Sequence, residues 1–157
     1  MQNNQTDRPA AALEGLRVIE LAGSMGQYCG KLFAELGAEV ILVEPPQGAP
    51  SRATLPFIDG VPGPDRSLSF EYFNSSKRGI CLDLATVEGQ AQFRRLAATA
   101  DLVIECEKPG VMSSRGCGYA DLAALKPSLV VLSLTGFGQS GPWAQYETED
   151  LVALATG

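Results

Sequence analysis

Residues Leu16 to Glu44 read as strand, glycine-punctuated loop, helix, strand and acidic residue, and that order leaves few folds open. Leu16, Val18, Ile19 and Leu21 make a short buried strand. Gly23, Gly26 and Gly30 punctuate the loop that opens the helix. Tyr28, Leu32, Phe33 and Leu36 fall at i, i+4, i+5 and i+8, one apolar helical stripe. Gly37 stops the helix as a C′ residue does. Val40 to Val43 form a fully apolar second strand with Glu44 at its carboxyl end. This is the first half of a nucleotide-binding βαβ unit.

The rest of the chain continues the alternation. Pro45 to Pro50 is a turn, and Phe57 to Arg66 is a long irregular connection of the kind that is usually functional or mobile. Leu68 to Phe73 reads as a short helix or a strand, and Ser75 to Arg78 as a polar basic loop. Ile80 to Leu84 is a strand. Thr86 caps a helix that runs to about Ala98, with Glu88 in its first turn. Leu102 to Ile104 is a strand, Lys108-Pro109-Gly110 a turn, and Tyr119 to Leu125 a short helix stopped by Pro127. Leu129 to Leu134 is another strand, followed by a second glycine loop through Gly136, Gly138 and Gly141. Thr148 begins a last helix through Leu151, Val152 and Leu154. Near-continuous apolar strands alternating with helices predict an α/β, Rossmann-like parallel sheet with helices on both faces. With the last helix barely begun at Gly157, the sheet reads as incomplete at its C-terminal end.

With 157 residues the chain is one domain by length, and its 45% hydrophobic content is ordinary for a globular one. A net charge of −6 argues against nucleic acid as a partner, because phosphate backbones need a basic face. No apolar run approaches the roughly 18 residues of a membrane span, so no membrane partner is expected. Residues 1–12 are polar and read as a disordered lead-in before a domain over residues 13–157. The chain has four cysteines, no CxxC pair and no histidine, so no metal site is expected. Cys29, Cys81 and Cys106 lie in or beside apolar segments and read as reduced core residues of a cytoplasmic protein.

The ligand of the opening unit is less obvious than its fold. Glu44 lies 18 positions after Gly26, near the spacing at which an acid binds the ribose of NAD. The glycines read GxxGxxxG instead of GxGxxG, so the tight turn and close diphosphate approach of a dinucleotide site are not specified.

The blocks around the unit are more specific. Leu13 to Val18, Tyr28-Cys29 through Leu36 to Pro46, Asn74, Lys77-Arg78 and Leu82-Asp83-Leu84 resemble the family III CoA-transferases, the group that also contains α-methylacyl-CoA racemase. Pro109 to Met112, Gly118-Tyr119 and Gly136 to Pro142 match later blocks of that family in the same order. The resemblance runs from Leu13 to the end of the chain and accounts for less than half of a typical member.

The resemblance implies transfer of coenzyme A between carboxylic acids through an aspartyl thioester, with acyl-CoA and carboxylate substrates and an interlocked homodimer at full length. It places the nucleophilic aspartate beyond Gly157, so that these residues alone are expected to be inactive. Asp150 matches an acidic position that assists the nucleophile, and equally suits a helix N-terminus for stability alone. Glu149 stands where the racemases carry His, which disfavours that branch. For coenzyme A the resemblance names Gly23, Ser24 and Gly26 near pantetheine and phosphates, Leu82 and Leu84 beside the adenine, and Cys106, Lys108 and Arg115 further on. Pro45, Ala85 and Ser114 occupy positions that are basic in other members, and Lys108, Arg115 and Lys77-Arg78 are the candidate replacements. Lys77-Arg78 reads equally as a solvated loop. The alternative reading is a non-catalytic CoA-binding or assembly half; an acyl-CoA racemase and an NAD-binding domain come after it.

Overall fold

In the computed structural model, which describes residues 10–156, five parallel strands form one sheet in the order β3-β2-β1-β4-β5. The strands are β1 (Arg17–Leu21), β2 (Glu39–Glu44), β3 (Arg78–Cys81), β4 (Leu102–Glu105) and β5 (Val130–Ser133). The helices are α1 (Gln27–Glu35), α2 (Leu68–Asn74), α3 (Val87–Ala97), α4 (Val111–Ser114), α5 (Tyr119–Leu125) and α6 (Asp150–Thr156). Most of the expected lead-in, residues 1–12, lies outside the described residues.

Register follows from apolar pairing. Val18 and Ile19 of β1 face Val40 and Ile41 on one side and Leu102 and Val103 on the other. Alternate side chains then leave the sheet on opposite faces. On one face Ile19, Leu21, Val43 and Val103 pack with Phe93 and Ala97 of α3, Met112 of α4 and Leu122 of α5. On the other, Val18, Val40, Leu102 and Ile104 pack with Ala34 of α1 and with Ala38, while Leu42 meets Phe70 of α2. Thr86 caps α3 as read, its hydroxyl accepting from Gly89 N–H at 3.0 Å. The segment after Arg66 is a helix, capped by Ser67, whose Oγ accepts from Phe70 N–H at 3.1 Å.

Helix α1 turns a different face to the sheet from the one its sequence advertises. Of the apolar stripe Phe33 packs against the sheet while Tyr28, Leu32 and Leu36 are exposed, and the buried positions are Gln27, Gly30, Lys31 and Ala34. The reason lies beneath it in β1. Glu20 points to this face and is fully buried. Lys77 Nζ reaches it from the loop before β3, donating to Glu20 Oε1 at 3.0 Å and lying 2.8 Å from Oε2. The same ammonium donates to Gln27 O and to Asn74 Oδ1, both at 2.9 Å. Three acceptors for three N–H bonds satisfy a charged lysine completely. A Cβ on Gly30 would stand 1.6 Å from Glu20 Oε2, so only glycine lets α1 pass over this carboxylate. Lys77 is therefore neither a solvated loop residue nor free for a ligand, and Arg78 pairs with Glu39 at 2.7 Å.

Other expectations shift by smaller amounts. Strand β3 begins two residues earlier than read and is an exposed edge, leaving Leu82 to turn inward after it. Cys81 is accordingly exposed, and Cys117 is the buried cysteine. No helix among the described residues is long and apolar enough to cross a membrane.

Burial pushes the Glu20 carboxyl up to about 7 against the opposing pull of Lys77, and pushes the Lys77 ammonium down. A carboxyl that holds its proton more tightly when folded contributes stability at low pH that is lost as pH rises from its ordinary value of 4.5 through about 7. Glu20→Gln is expected to remove that slope, checked by urea unfolding across this range. Lys77→Met strands the carboxylate under α1 and is expected to lower the unfolding free energy by roughly 3 kcal/mol in the same titrations.

Candidate functional site

The carboxyl ends of four strands surround a cleft of about 400 Å³, the place where open parallel sheets hold their ligands. Leu21, Ala22 and Gly23 continue from β1; Val43, Pro45, Gln47 and Pro50 come from β2 and the loop after it. Leu82, Asp83, Leu84 and Ala85 follow β3, and Cys106 and Glu107 follow β4, with Arg115 closing the side after α4. The walls are mainly aliphatic and proline, and the charged lining is Asp83, Glu107 and Arg115.

Each wall is held by a local device. Gly23 N–H donates to Leu21 O at 2.7 Å, a tight reversal at the end of β1. A Cβ on Gly23 would meet Cys106 Cβ at 2.7 Å, and one on Gly26 would meet Cys106 Sγ at 3.1 Å and Ile104 Cγ2 at 3.2 Å. The glycines thus let the first loop lie flat on the end of β4. The N-terminus of α1, where a dinucleotide fold receives the diphosphate, is backed here by the Cys106 side chain. Burial pushes the Cys106 thiol up to about 11, while the nearby Gly26 and Met25 N–H groups pull it down less strongly.

The opposite wall depends on Glu44. Arg52 donates to it through Nε at 2.6 Å and Nη2 at 2.9 Å, and Ala49 N–H donates at 2.8 Å. The Arg52 guanidinium also lies 3.8 Å from the centre of the Phe70 ring. Arg52 holds the Glu44 carboxyl below the usual range. Glu44 therefore ties down the loop that supplies Pro45, Gln47 and Pro50, and its oxygens are not open to a ribose.

Of the residues named from sequence, Gly23, Leu82, Leu84, Cys106 and Arg115 line this cleft. Gly26 is buried behind it, against Cys106, and Ser24 is exposed on the loop. Lys108 lines a second cleft of about 250 Å³ beside α4 and α5 and pairs with Glu147. Asp150 opens α6, all of whose described residues are exposed, and it lines neither cleft. Sequence reasoning missed Gln47, Asp83 and Glu107. Their positions directly after β2, β3 and β4 were the available signal, because strand carboxyl ends converge on one crevice.

Known proteins share both the sequence and the fold of this chain. The family model for CoA-transferase family III matches residues 13–157. The chain is 41% identical over 139 residues to the succinyl-CoA:(R)-benzylsuccinate CoA-transferase subunit BbsE of Thauera aromatica, covering 88% of this chain and 34% of the relative. It is 40% identical over 153 residues to the succinate–glutarate CoA-transferase of Agrobacterium fabrum, covering 94% and 38%. Among solved structures, a CaiB/BaiF family protein from Brucella suis superposes with a TM-score of 0.85 at 38% identity, covering 94% of this chain and 39% of that one. The chain therefore spans little more than a third of the length of these relatives.

The cleft geometry fixes an order of thiol reactivity. With its pKa near 11, Cys106 holds about a hundredth of the thiolate of an ordinary cysteine thiol. At pH 8, iodoacetamide is expected to modify the exposed Cys81 at least about tenfold faster than Cys106, read by peptide mass spectrometry over time.

Proposed function

Because the chain belongs to CoA-transferase family III, we propose that it is the coenzyme A-binding portion of an enzyme that transfers CoA between carboxylic acids. The cleft carries this reading. Its aliphatic walls from Leu21, Val43, Leu82 and Leu84 suit the adenine and the pantetheine arm, and the Gly23 backbone at its edge allows close approach.

The chemistry this implies is acyl exchange through the enzyme's own carboxylate. An aspartate attacks the carbonyl of the acyl-CoA and expels the CoA thiolate, leaving a mixed anhydride. The thiolate then attacks the aspartyl carbonyl of that anhydride, releasing the donor acid and forming the aspartyl-CoA thioester. The acceptor acid repeats the two steps in reverse. Neither cleft carboxylate is suited to be this nucleophile: Asp83 Oδ1 accepts from Ala85 N–H at 3.0 Å, and Glu107 pairs with Arg115 at 3.2 Å. We place the nucleophile outside these 157 residues, with Asp150 of α6 assisting it, in a full-length protein that forms an interlocked homodimer. The same engagement of both cleft carboxylates favours a second reading, in which the chain binds CoA for another polypeptide that performs the chemistry.

Isothermal titration of the chain with CoA is expected to give saturable binding, and an assay with an acyl-CoA donor and a carboxylate acceptor to give no transfer by the chain alone. Absence of CoA binding sinks the reading of the cleft; transfer by the chain alone sinks the placement of the nucleophile. Gly23→Ala, which drives a Cβ into Cys106, is expected to weaken CoA binding by about tenfold with the circular dichroism spectrum retained.

A further inference from the structure

The cleft has an electrostatic character that its shape does not reveal. Its charged lining consists of two carboxylates, Asp83 and Glu107, and one guanidinium, Arg115. Arg115 Nη1 is already 3.2 Å from Glu107 Oε1, with both side chains partly exposed to the cleft. The neighbouring cations are engaged as well. Arg52 is bound by Glu44 and lies 2.8 Å from Asp65 Oδ1, Lys108 pairs with Glu147, and Lys77 is sealed beneath α1 with Glu20. Every lysine and arginine among the described residues except Arg94 has a carboxylate partner, and Arg94 donates to Gly116 O behind the sheet.

A phosphate monoester carries between one and two negative charges at neutral pH. Arg115 keeps N–H donors beyond the one on Glu107, but a phosphate that reaches them faces the Glu107 and Asp83 charges across the same small space. Attraction and repulsion of similar size at similar distance leave little net preference. The adenine and the pantetheine arm meet no such opposition, because the surface offered to them is Leu21, Val43, Leu82, Leu84 and two prolines.

Building on the reading of this cleft as a coenzyme A site, we infer that it does not read the 3′-phosphate, that dephospho-CoA enters as readily as CoA, and that Glu107 is the residue that sets this by neutralising Arg115. Glu107 is a specificity-determining residue here, acting through the cation it neutralises.

The test is isothermal titration of the 157-residue chain with CoA and with dephospho-CoA at one ionic strength near physiological. The two dissociation constants are expected to agree within about threefold, as opposed charges at a partly exposed site cancel. Glu107→Gln frees Arg115 and is expected to raise the preference for CoA to about fivefold or more, with the preference shrinking as salt is added. The Glu107→Gln/Arg115→Ala double variant is expected to return the ratio to near one. A wild-type preference for CoA of tenfold or more overturns the inference and leaves the cleft reading standing. An unchanged ratio in Glu107→Gln, in protein whose urea unfolding matches wild type, overturns the role of Glu107. Failure of both ligands to bind removes the cleft reading and this inference with it.

Discussion

A buried charge pair sets the geometry on which the rest of this molecule is arranged. Glu20 sits in the central strand of the sheet, and a lone carboxylate there would cost several kcal/mol. Lys77 makes it tenable, and to do so must hold the loop before β3 against the start of α1. Gly30 must in turn be bare, so that the helix can settle over the pair. One ion pair therefore fixes the depth and rotation of α1, ties α2 and β3 to β1 through Asn74, and hands the Gly23–Gly26 loop its starting point.

The cleft inherits its shape from that arrangement and its charge from a different one. Strand ends bring four short segments together, and the glycines press the first of them onto Cys106. Glu44 and Arg52 then brace the second segment against the Phe70 ring. Positive charge lies behind and beside these walls, but it is engaged by internal partners. The result is a crevice defined by contour and apolar surface, with its one lining cation already answered by a neighbour.

The order of elements was plain in the sequence, because buried parallel strands are uninterrupted apolar runs and Thr86 and Gly37 punctuate helices by fixed rules. The facing of α1 was not. An apolar stripe predicts the buried side only when the sheet beneath is apolar throughout, and nothing in the string of letters says that Glu20 is an exception. Lys77 looked like a loop cation for the same reason: its partner lies 57 residues away. Helix α4, with four residues, is too short to show a period, and β3 slid because an edge strand with one neighbour is not required to be apolar. In the cleft, Gly23, Leu82, Leu84, Cys106 and Arg115 were named through resemblance and not through geometry. Asp83 and Glu107 have meaning only through the atoms they meet, which no spacing encodes.

The fit of Gly30 over Glu20 also constrains the order in which this sequence can change. Any side chain at position 30 collides with the carboxylate as long as Glu20 is present, whereas losing the carboxylate first leaves a cationic Lys77 with no counter-charge. Three positions in three separate segments are thus mutually locked. A lineage that replaces the charged pair with apolar packing must pass through a less stable intermediate or change two residues together, so the glycine records the buried acid as much as it serves the loop.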